Sequence, residues 1–435
     1  MNNPTILNTS YSIPNLIAHL DADAFFASVL QRKHPALRGK PLLATGMGGG
    51  VVIAASYEAK SRGVQTGMTL REARRLCPDA LSMPSDFAET LRASRQIEAI
   101  ILRHCPIIEQ YSIDEWFLDL TALVDGVPHD PLQWARLLQA TIRRSADMSV
   151  SIGIAPSKLL AKMASEEQKP AGVTVIISST PRPPPPPFDF TQGKREEGVL
   201  TIEHFLRHRK AADIPGIGPA RQVHAQAHRW KTAWDIAQAD PHSIRRLFGR
   251  PGLDLQRELS GDCVDVVHHE TAPPKSISRC RSFAPMQHSA LSQAALLQHL
   301  LFCVLKMRTH GLQCRGVSVW IRDGRYRHHA LRVRLPRPMD TEEMLLPYAR
   351  TLLERLQKRT VSSTQIGIAL TEIRPQAAVQ FSLFTPPQKI MEDERLQSSL
   401  DELRKRFGRE VIMRGGMLPV HRKRERPWEM SMIED

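Results

Sequence analysis

Apolar residues along this chain follow two spacings in turn. Residues 16–30, LIAHLDADAFFASVL, open as a buried strand and continue at helical period. Residues 39–56, GKPLLATGMGGGVVIAAS, read as two short strands around a Gly-rich turn. YEAKSRG (57–63) and TLREARRLC (69–77) are helical, and 107–120 is extended. LQWARLLQATIRRSA (132–146) is an amphipathic helix, followed by a strand (148–155) and a helix, SKLLAKMASEEQ (157–168). Strands and helices alternating in this way predict an α/β or α+β layer. Five consecutive prolines, Pro183–Pro187, then interrupt the pattern with a stiff spacer or surface insertion. Residues 200–265 are helical and basic, and 275–374 turn β-rich. Within the latter, GVSVWIRDGRYRHHALRVRL (316–335) alternates on both sides of Asp323-Gly324, a hairpin signal. Leu331, Val333 and Leu335 fall on one face of its second strand, with Arg332 and Arg334 on the other. The last 60 residues read as less compact.

One apolar stretch breaks its own rule. YSIDEWFLDL (111–120) carries Asp114 and Glu115 side by side, and neighbouring strand residues point to opposite faces. Before the pair, the apolar positions Tyr111 and Ile113 are odd; after it, Trp116, Leu118 and Leu120 are even. A continuous strand cannot exchange its faces in this way, so the chain turns or bulges at Asp114-Glu115, and both acids can face one site. Asp21-Ala22-Asp23 ends the first strand with a second acidic cluster. Carboxylates gathered at strand ends are hard oxygen ligands suited to Mg²⁺. Spacing alone favours solvated turn acids over metal ligands, and both readings stand at this point.

Length and charge narrow the class. A chain of 435 residues exceeds one ordinary core and implies several domains. A formal net charge of +14 suits a soluble basic protein or a binder of polyanions. The six cysteines (77, 105, 263, 280, 303 and 314) show no C-x-x-C pairing, which argues against a zinc site or disulfide framework and fits a reducing cytosol. No charged segment precedes an apolar core at the start, as a secretory leader requires, and no apolar run approaches a membrane span. The expected location is the cytoplasm.

Three further motifs carry candidate chemistry. TGMGGGV (45–51) tempts a phosphate-cradle reading but matches neither glycine fingerprint, so a hairpin turn or close backbone approach is expected. IPGIGPARQ (214–222) has the form of a helix-hairpin-helix: Gly216 and Gly218 allow close approach, Pro219 opens a helix whose N-terminus suits a phosphate, and Arg221 follows. QFSLF (380–384) could insert two apolar side chains into a partner's pocket, or could be a small strand.

In this order, these residues resemble the Y-family of translesion DNA polymerases, the bacterial DinB/UmuC type. HLDADAFFASV is similar to the family's first metal-binding strand, and YSIDEWFLDL to its second, with wording nearer the UmuC branch, as is SRCRSF (278–283). GIAPSKLLAKMAS with KPAG, then IPGIG and QFSLF, fall in the family's order. The resemblance covers about 15–175 and 200–374, with weaker similarity in the tail, and it reverses the balance on the acids.

The resemblance implies an α+β multidomain right-hand polymerase with a ferredoxin-like palm (1–23 and 86–178) and small fingers (24–85). A Pro-rich insertion (179–199) that is no family feature would precede a helical thumb with the helix-hairpin-helix (200–265) and a linker (266–275). A β-rich little finger (276–374) and a C-terminal tail with a clamp-binding motif (375–435) would follow. It implies that Asp21, Asp114 and Glu115, with the Ala22 carbonyl, hold two Mg²⁺ ions, and that Asp23 is a neighbour. Phe26 falls on the steric gate against a ribose 2′-OH. Phe25, Tyr57, Lys60 and Lys169 fall in the nucleotide site. Lys60 stands where Arg is usual, a point charge in place of a fork, and Ala171 where many members have Asn. Gly216, Gly218, Arg221, Arg332 and Arg334 would grip DNA, and Gln380, Leu383 and Phe384 a sliding clamp, tethering the enzyme. The small residues Gly48–Gly50, Ala54 and Ala55 imply an open roof over the nascent pair, hence damage tolerance and low fidelity. Primer-template DNA and dNTP are the implied substrates. A UmuD-like subunit or RecA are further implied partners, in an SOS-type damage response, with no membrane involved. A two-metal nuclease needs the same acids. A non-catalytic family adaptor should lack them, whereas all three are present.

Overall fold

The computed structural model describes residues 15–46, 50–177, 198–269, 273–287, 290–360, 362–376, 387–408 and 411–417. Gly48, Gly49, the proline run, Gln380, Leu383 and Phe384 lie outside the described residues. The chain divides into two compact units, 1–271 and 272–435.

In the first unit the elements run β1 (Ile17–Ala22), α1 (Phe25–Lys33), β2 (Leu42–Thr45), β3 (Val52–Ala55), α2 (Tyr57–Lys60), α3 (Leu70–Leu76), β4 (Leu81–Pro84) and α4 (Phe87–His104). They continue with β5 (Ile108–Gln110), β6 (Glu115–Asp119), α5 (Pro131–Ala146), β7 (Val150–Ala155), α6 (Lys158–Ser165), β8 (Val173–Ile177) and β9 (Val199–Thr201). Five helices close the unit: α7 (Ile202–Arg207), α8 (Pro219–Ala227), α9 (Ala233–Ala237), α10 (Pro241–Phe248) and α11 (Arg250–Leu259).

A six-stranded sheet in the order β5-β6-β1-β7-β8-β9 forms its centre. Strand alternation sorts the side chains of β1. Ala18, Leu20 and Ala22 join Trp116, Leu118, Ile152 and Ile154 in a core covered by α4 and α5. Ile17 faces the other way with Phe117 and Ala155, under α6 and the helices of the 200s. α6 lies almost on the strand backbone: a Cβ added to Gly153 would come 2.2 Å from the Ala161 carbonyl oxygen and 2.3 Å from the Ser165 nitrogen. Only glycine permits that approach, and it sets the height of α6 above the sheet. β9 pairs in parallel with β8, so the chain rejoins this sheet after the Pro-rich segment, which the strand pattern did not foresee. A separate three-stranded sheet, β3-β2-β4, carries α2 and α3 on a small alanine-rich core. α3 is started by a capping box between Thr69 and Glu72.

The second unit holds β10 (Ser276–Gln287), α12 (Ala290–Thr309), β11 (Leu312–Arg322), β12 (His328–Met339), α13 (Glu342–Gln357), β13 (Ser362–Thr371), β14 (Arg374–Pro375) and α14 (Pro387–Phe407). Its sheet runs β10-β13-β11-β12, with β14 paired to the start of β11. Helices α12 and α13 bury its apolar face. The hairpin read from Asp323-Gly324 is present as β11–β12. Leu335 lies in the core with Leu331 and Val333 packed against it, while Arg332 and Arg334 are exposed. The chain beyond 386 is less loose than its composition suggests. Arg308 of α12 binds Asp340 at 3.1 Å and Asp401 of α14 at 2.6 Å, Arg414 pairs with Glu342 at 2.8 Å, and Met417 is buried in the core.

Candidate active site

The acids meet where β1 and β6 end side by side. β6 pairs with both β5 and β1, and its register places Glu115 opposite Asp21. YSIDEWFLDL is therefore a hairpin: residues 111–114 form its loop and Glu115 opens β6. The Tyr111 and Ser112 N–H groups both donate to the Glu115 carbonyl, and the Ala22 N–H donates to the Asp114 carbonyl at 2.9 Å. Tyr111, read as an apolar strand position, is 59% exposed because it belongs to this loop. Asp119 instead caps the turn after β6, accepting from the Thr121 N–H at 2.9 Å.

Each proposed ligand is turned to a partner from the chain itself. Asp21 is buried and pairs with Lys169 at 2.8 Å. Burial pushes its carboxyl up to about 7, against the pull of Lys169. Burial also pushes Glu115 up, but the His19 and Lys162 contacts outweigh it and hold the group at about 2. Lys162 Nζ donates to Glu115 Oε1 at 2.7 Å. His19 Nε2 stands 3.9 Å from Glu115, beyond hydrogen-bond reach. Burial lowers the pKa of the His19 ring. Asp114 Oδ1 accepts from the Ser112 hydroxyl at 2.5 Å. Among the described residues, no three acid, histidine or cysteine side chains converge on one point as placed. The donor set nonetheless suits a hard cation: two carboxylates face each other across adjacent strands with a third at the turn, and two ammonium groups of the chain neutralise the facing pair.

Asp23 behaves differently. It is 1% exposed and accepts four hydrogen bonds: from Tyr57 Oη (3.2 Å), Ser151 Oγ (2.8 Å), Ser149 Oγ (2.7 Å) and the Ala171 N–H (2.9 Å). Those donors leave it little capacity for a metal. It instead ties α2, β7 and the loop bearing Lys169 together. Burial and Asp23 push the Tyr57 phenol well above its usual range. Lys60 lies over the Tyr57 ring at 4.6 Å, and burial with nearby Lys169 lowers its pKa.

α1 starts immediately after Asp23, with Ala24 as its left-handed N-cap and no side chain capping it. Its first N–H groups carry the positive end of the helix dipole without a side-chain cap. Phe26 is half-buried, edge-on to Phe87 at 5.6 Å. Phe25 is 2% exposed inside the core, so its ring is packing and only its backbone can meet a ligand. Lys162, His19 and the two serines escaped the sequence reading. The histidine lies two residues before Asp21 on β1 and the lysine is the sixth residue of SKLLAK on α6, and only the packing of that helix on the sheet brings them to Glu115.

Residues 20–166 match the impB/mucB/samB family, and 274–383 match that family's C-terminal domain. The chain is 31% identical to DNA polymerase IV of Caulobacter vibrioides over 403 residues, 92% of this chain and 94% of that one. It belongs to the Y-family of DNA polymerases, DinB type. Two of the solved structures that share the fold illustrate it. One is a Y-family DNA polymerase chimera, with TM-score 0.67, 23% identity, and coverage of 83% of this chain and 99% of that one. The other is DinB from Sulfolobus solfataricus, with TM-score 0.54, 22% identity, and coverage of 82% and 98%.

In this polymerase, Gly216 takes φ +94 in the turn before α8, and a Cβ on Gly218 would meet nothing within 4 Å. Arg221 folds back, donating to the Gly216 carbonyl at 2.9 Å with its guanidinium 5.6 Å from the Phe248 ring. Arg332 and Arg334 of the second unit both pair with Glu372, at 2.5 and 3.2 Å. Among the described residues, no helix is long and apolar enough to cross a membrane.

Proposed function

We propose that this translesion DNA-directed DNA polymerase adds a nucleotide from dNTP to a primer 3′-OH at the β1–β6 acids, with two Mg²⁺ ions held by Asp21, Asp114, Glu115 and the Ala22 carbonyl. The observation that carries the reading is Asp21 opposite Glu115, each neutralised by a lysine of the chain. Bound there, such ions supply Lewis acidity that favours the attacking alkoxide and offsets charge on the leaving pyrophosphate. The chain's own contribution is position and charge. Lys169, Lys60 and the first N–H groups of α1 offer the triphosphate its cations and donors. Tyr57 is held for the same task by Asp23. The Phe26 ring is the sugar gate, and Phe25 contributes its backbone alone.

Gly216, Gly218 and Arg221 form the thumb's phosphate grip, and Arg332 and Arg334 that of the little finger. Neither requires sequence readout. Gln380, Leu383 and Phe384 bind a sliding clamp, and a UmuD-like subunit or RecA are candidate accessory partners. The palm spans 1–23 and 86–178, the fingers 24–85, the thumb 200–265 and the little finger 276–374.

Primer extension tests it. Asp114→Ala should abolish extension while leaving primer-template affinity near that of the parent. Unchanged extension removes Asp114 from the reaction, and degradation without extension in the parent would replace polymerase by nuclease.

A further inference from the structure

The loop joining β11 to β12, residues 323–327, is more ordered than a connection requires. Asp323 is buried at its base. Its Oδ1 accepts from the N–H groups of Arg325 (2.8 Å) and Arg327 (2.9 Å). Its Oδ2 accepts from Arg327 Nε at 3.1 Å and lies 3.0 Å from His329 Nε2. The Thr364 hydroxyl donates to the Asp323 carbonyl at 3.1 Å. On this frame sits Tyr326 with φ +61, its N–H donated to the Asp323 carbonyl at 3.0 Å. An aromatic residue in the left-handed region is strained, and a turn with no other duty places Gly or Asn there. The Tyr326 ring is 71% exposed, and the Arg322 guanidinium stands 5.3 Å from its centroid. Arg325, Arg327 and His328 are exposed around it. The sequence thus spends a strained position on holding a flat ring outward among cations.

Such a surface selects its ligand by chemistry. The cations call for phosphates, and the ring calls for another flat π-face. Bases inside a duplex are stacked on both faces, so a run of unpaired nucleotides is what presents base faces beside successive phosphates. We propose that the β11–β12 tip is a subsite for single-stranded nucleic acid, with Tyr326 stacking on an unpaired base and Arg325 and Arg327 meeting the flanking phosphates. This rests on the polymerase reading, whose template carries an unpaired strand.

The test compares the full-length protein on a primer-template with a 5′ overhang and on a blunt duplex. Binding is followed by anisotropy, and 2-aminopurine is placed along the overhang. Tyr326→Ala should weaken overhang binding about tenfold, within the range for one base–aromatic stack, and leave blunt-duplex binding unchanged. Tyr326→Phe should bind as the parent does and keep the stacking quench that Ala loses. Arg325→Ala should lower the salt slope on the overhang by about 0.7. Three outcomes overturn the subsite: no loss with Ala, equal loss on both DNAs, or Phe as weak as Ala, each of which assigns the tip to folding or to a protein partner. Extension by the parent is measured alongside. If the parent does not extend, the polymerase reading falls, while the binding comparison still decides the subsite.

Discussion

Replacing Asp23 with asparagine changes one atom and tests whether this acid is the keystone that the hydrogen bonds describe. Four donors converge on it, three of them hydroxyls that can rotate and one the fixed N–H of Ala171. Asn must therefore aim its oxygen at Ala171 and Ser149 and its amide at Tyr57 and Ser151, whose hydroxyls can turn to accept. Geometry survives, but four charge-assisted bonds become neutral. Charged bonds contribute about 1.5–3 kcal/mol each and neutral ones about 1. Because the four share one group, the losses do not add, and a net cost of about 2–3 kcal/mol is expected. For a unit of this size that lowers its melting transition by about 4–6 °C. Asp23→Ala orphans the buried Ser151 hydroxyl and the Ala171 N–H as well, and should cost about 4 kcal/mol. Both variants release Tyr57 and the loop carrying Lys169, so KM for dNTP should rise more than affinity for DNA falls. Thermal melting and single-nucleotide insertion kinetics read the two effects. If Asp23→Asn melts within about 1 °C of the parent and keeps its KM, Asp23 is not organising the site. If DNA affinity falls as much as dNTP affinity, the damage is general.

Burial raises Asp21 from 3.8 to about 7. Between those values the folded chain binds more protons than the unfolded one, so the chelator-treated protein should gain stability as pH falls from about 7 towards 4. Asp21→Asn should flatten that profile and raise the melting temperature at pH 8; an unchanged slope would show that another group is responsible. Phe26→Ala should admit ribonucleotides in an insertion assay, and continued exclusion takes Phe26 off the gate. Glu372→Gln should unmask Arg332 and Arg334, tightening DNA binding at low salt and steepening its salt dependence. No change in slope would show that these guanidiniums do not meet phosphate.

How much of this was legible beforehand depends on the range of the interaction. The parity switch in YSIDEWFLDL is a local property, and it located the hairpin within a few residues, because side-chain alternation cannot change sides without a turn. The β11–β12 hairpin and its apolar face were local in the same way. The order of motifs named the family, and hence the acids. What the sequence could not rank was the acids' surroundings. Asp21, Asp23, Asp114 and Glu115 look alike as letters. Tertiary contacts give Asp21 a lysine 148 positions away and give Asp23 a donor 128 positions away in β7. The burial of Phe25 beside a half-buried Phe26 was equally closed to pattern reading, since both fit an apolar helix start. So were the return of β9 to the central sheet and the anchoring of α14 by Arg308. Local periodicity specifies which residues turn and which face is apolar. Charge and exposure are set by neighbours brought from distant parts of the chain, and only the packed fold decides them.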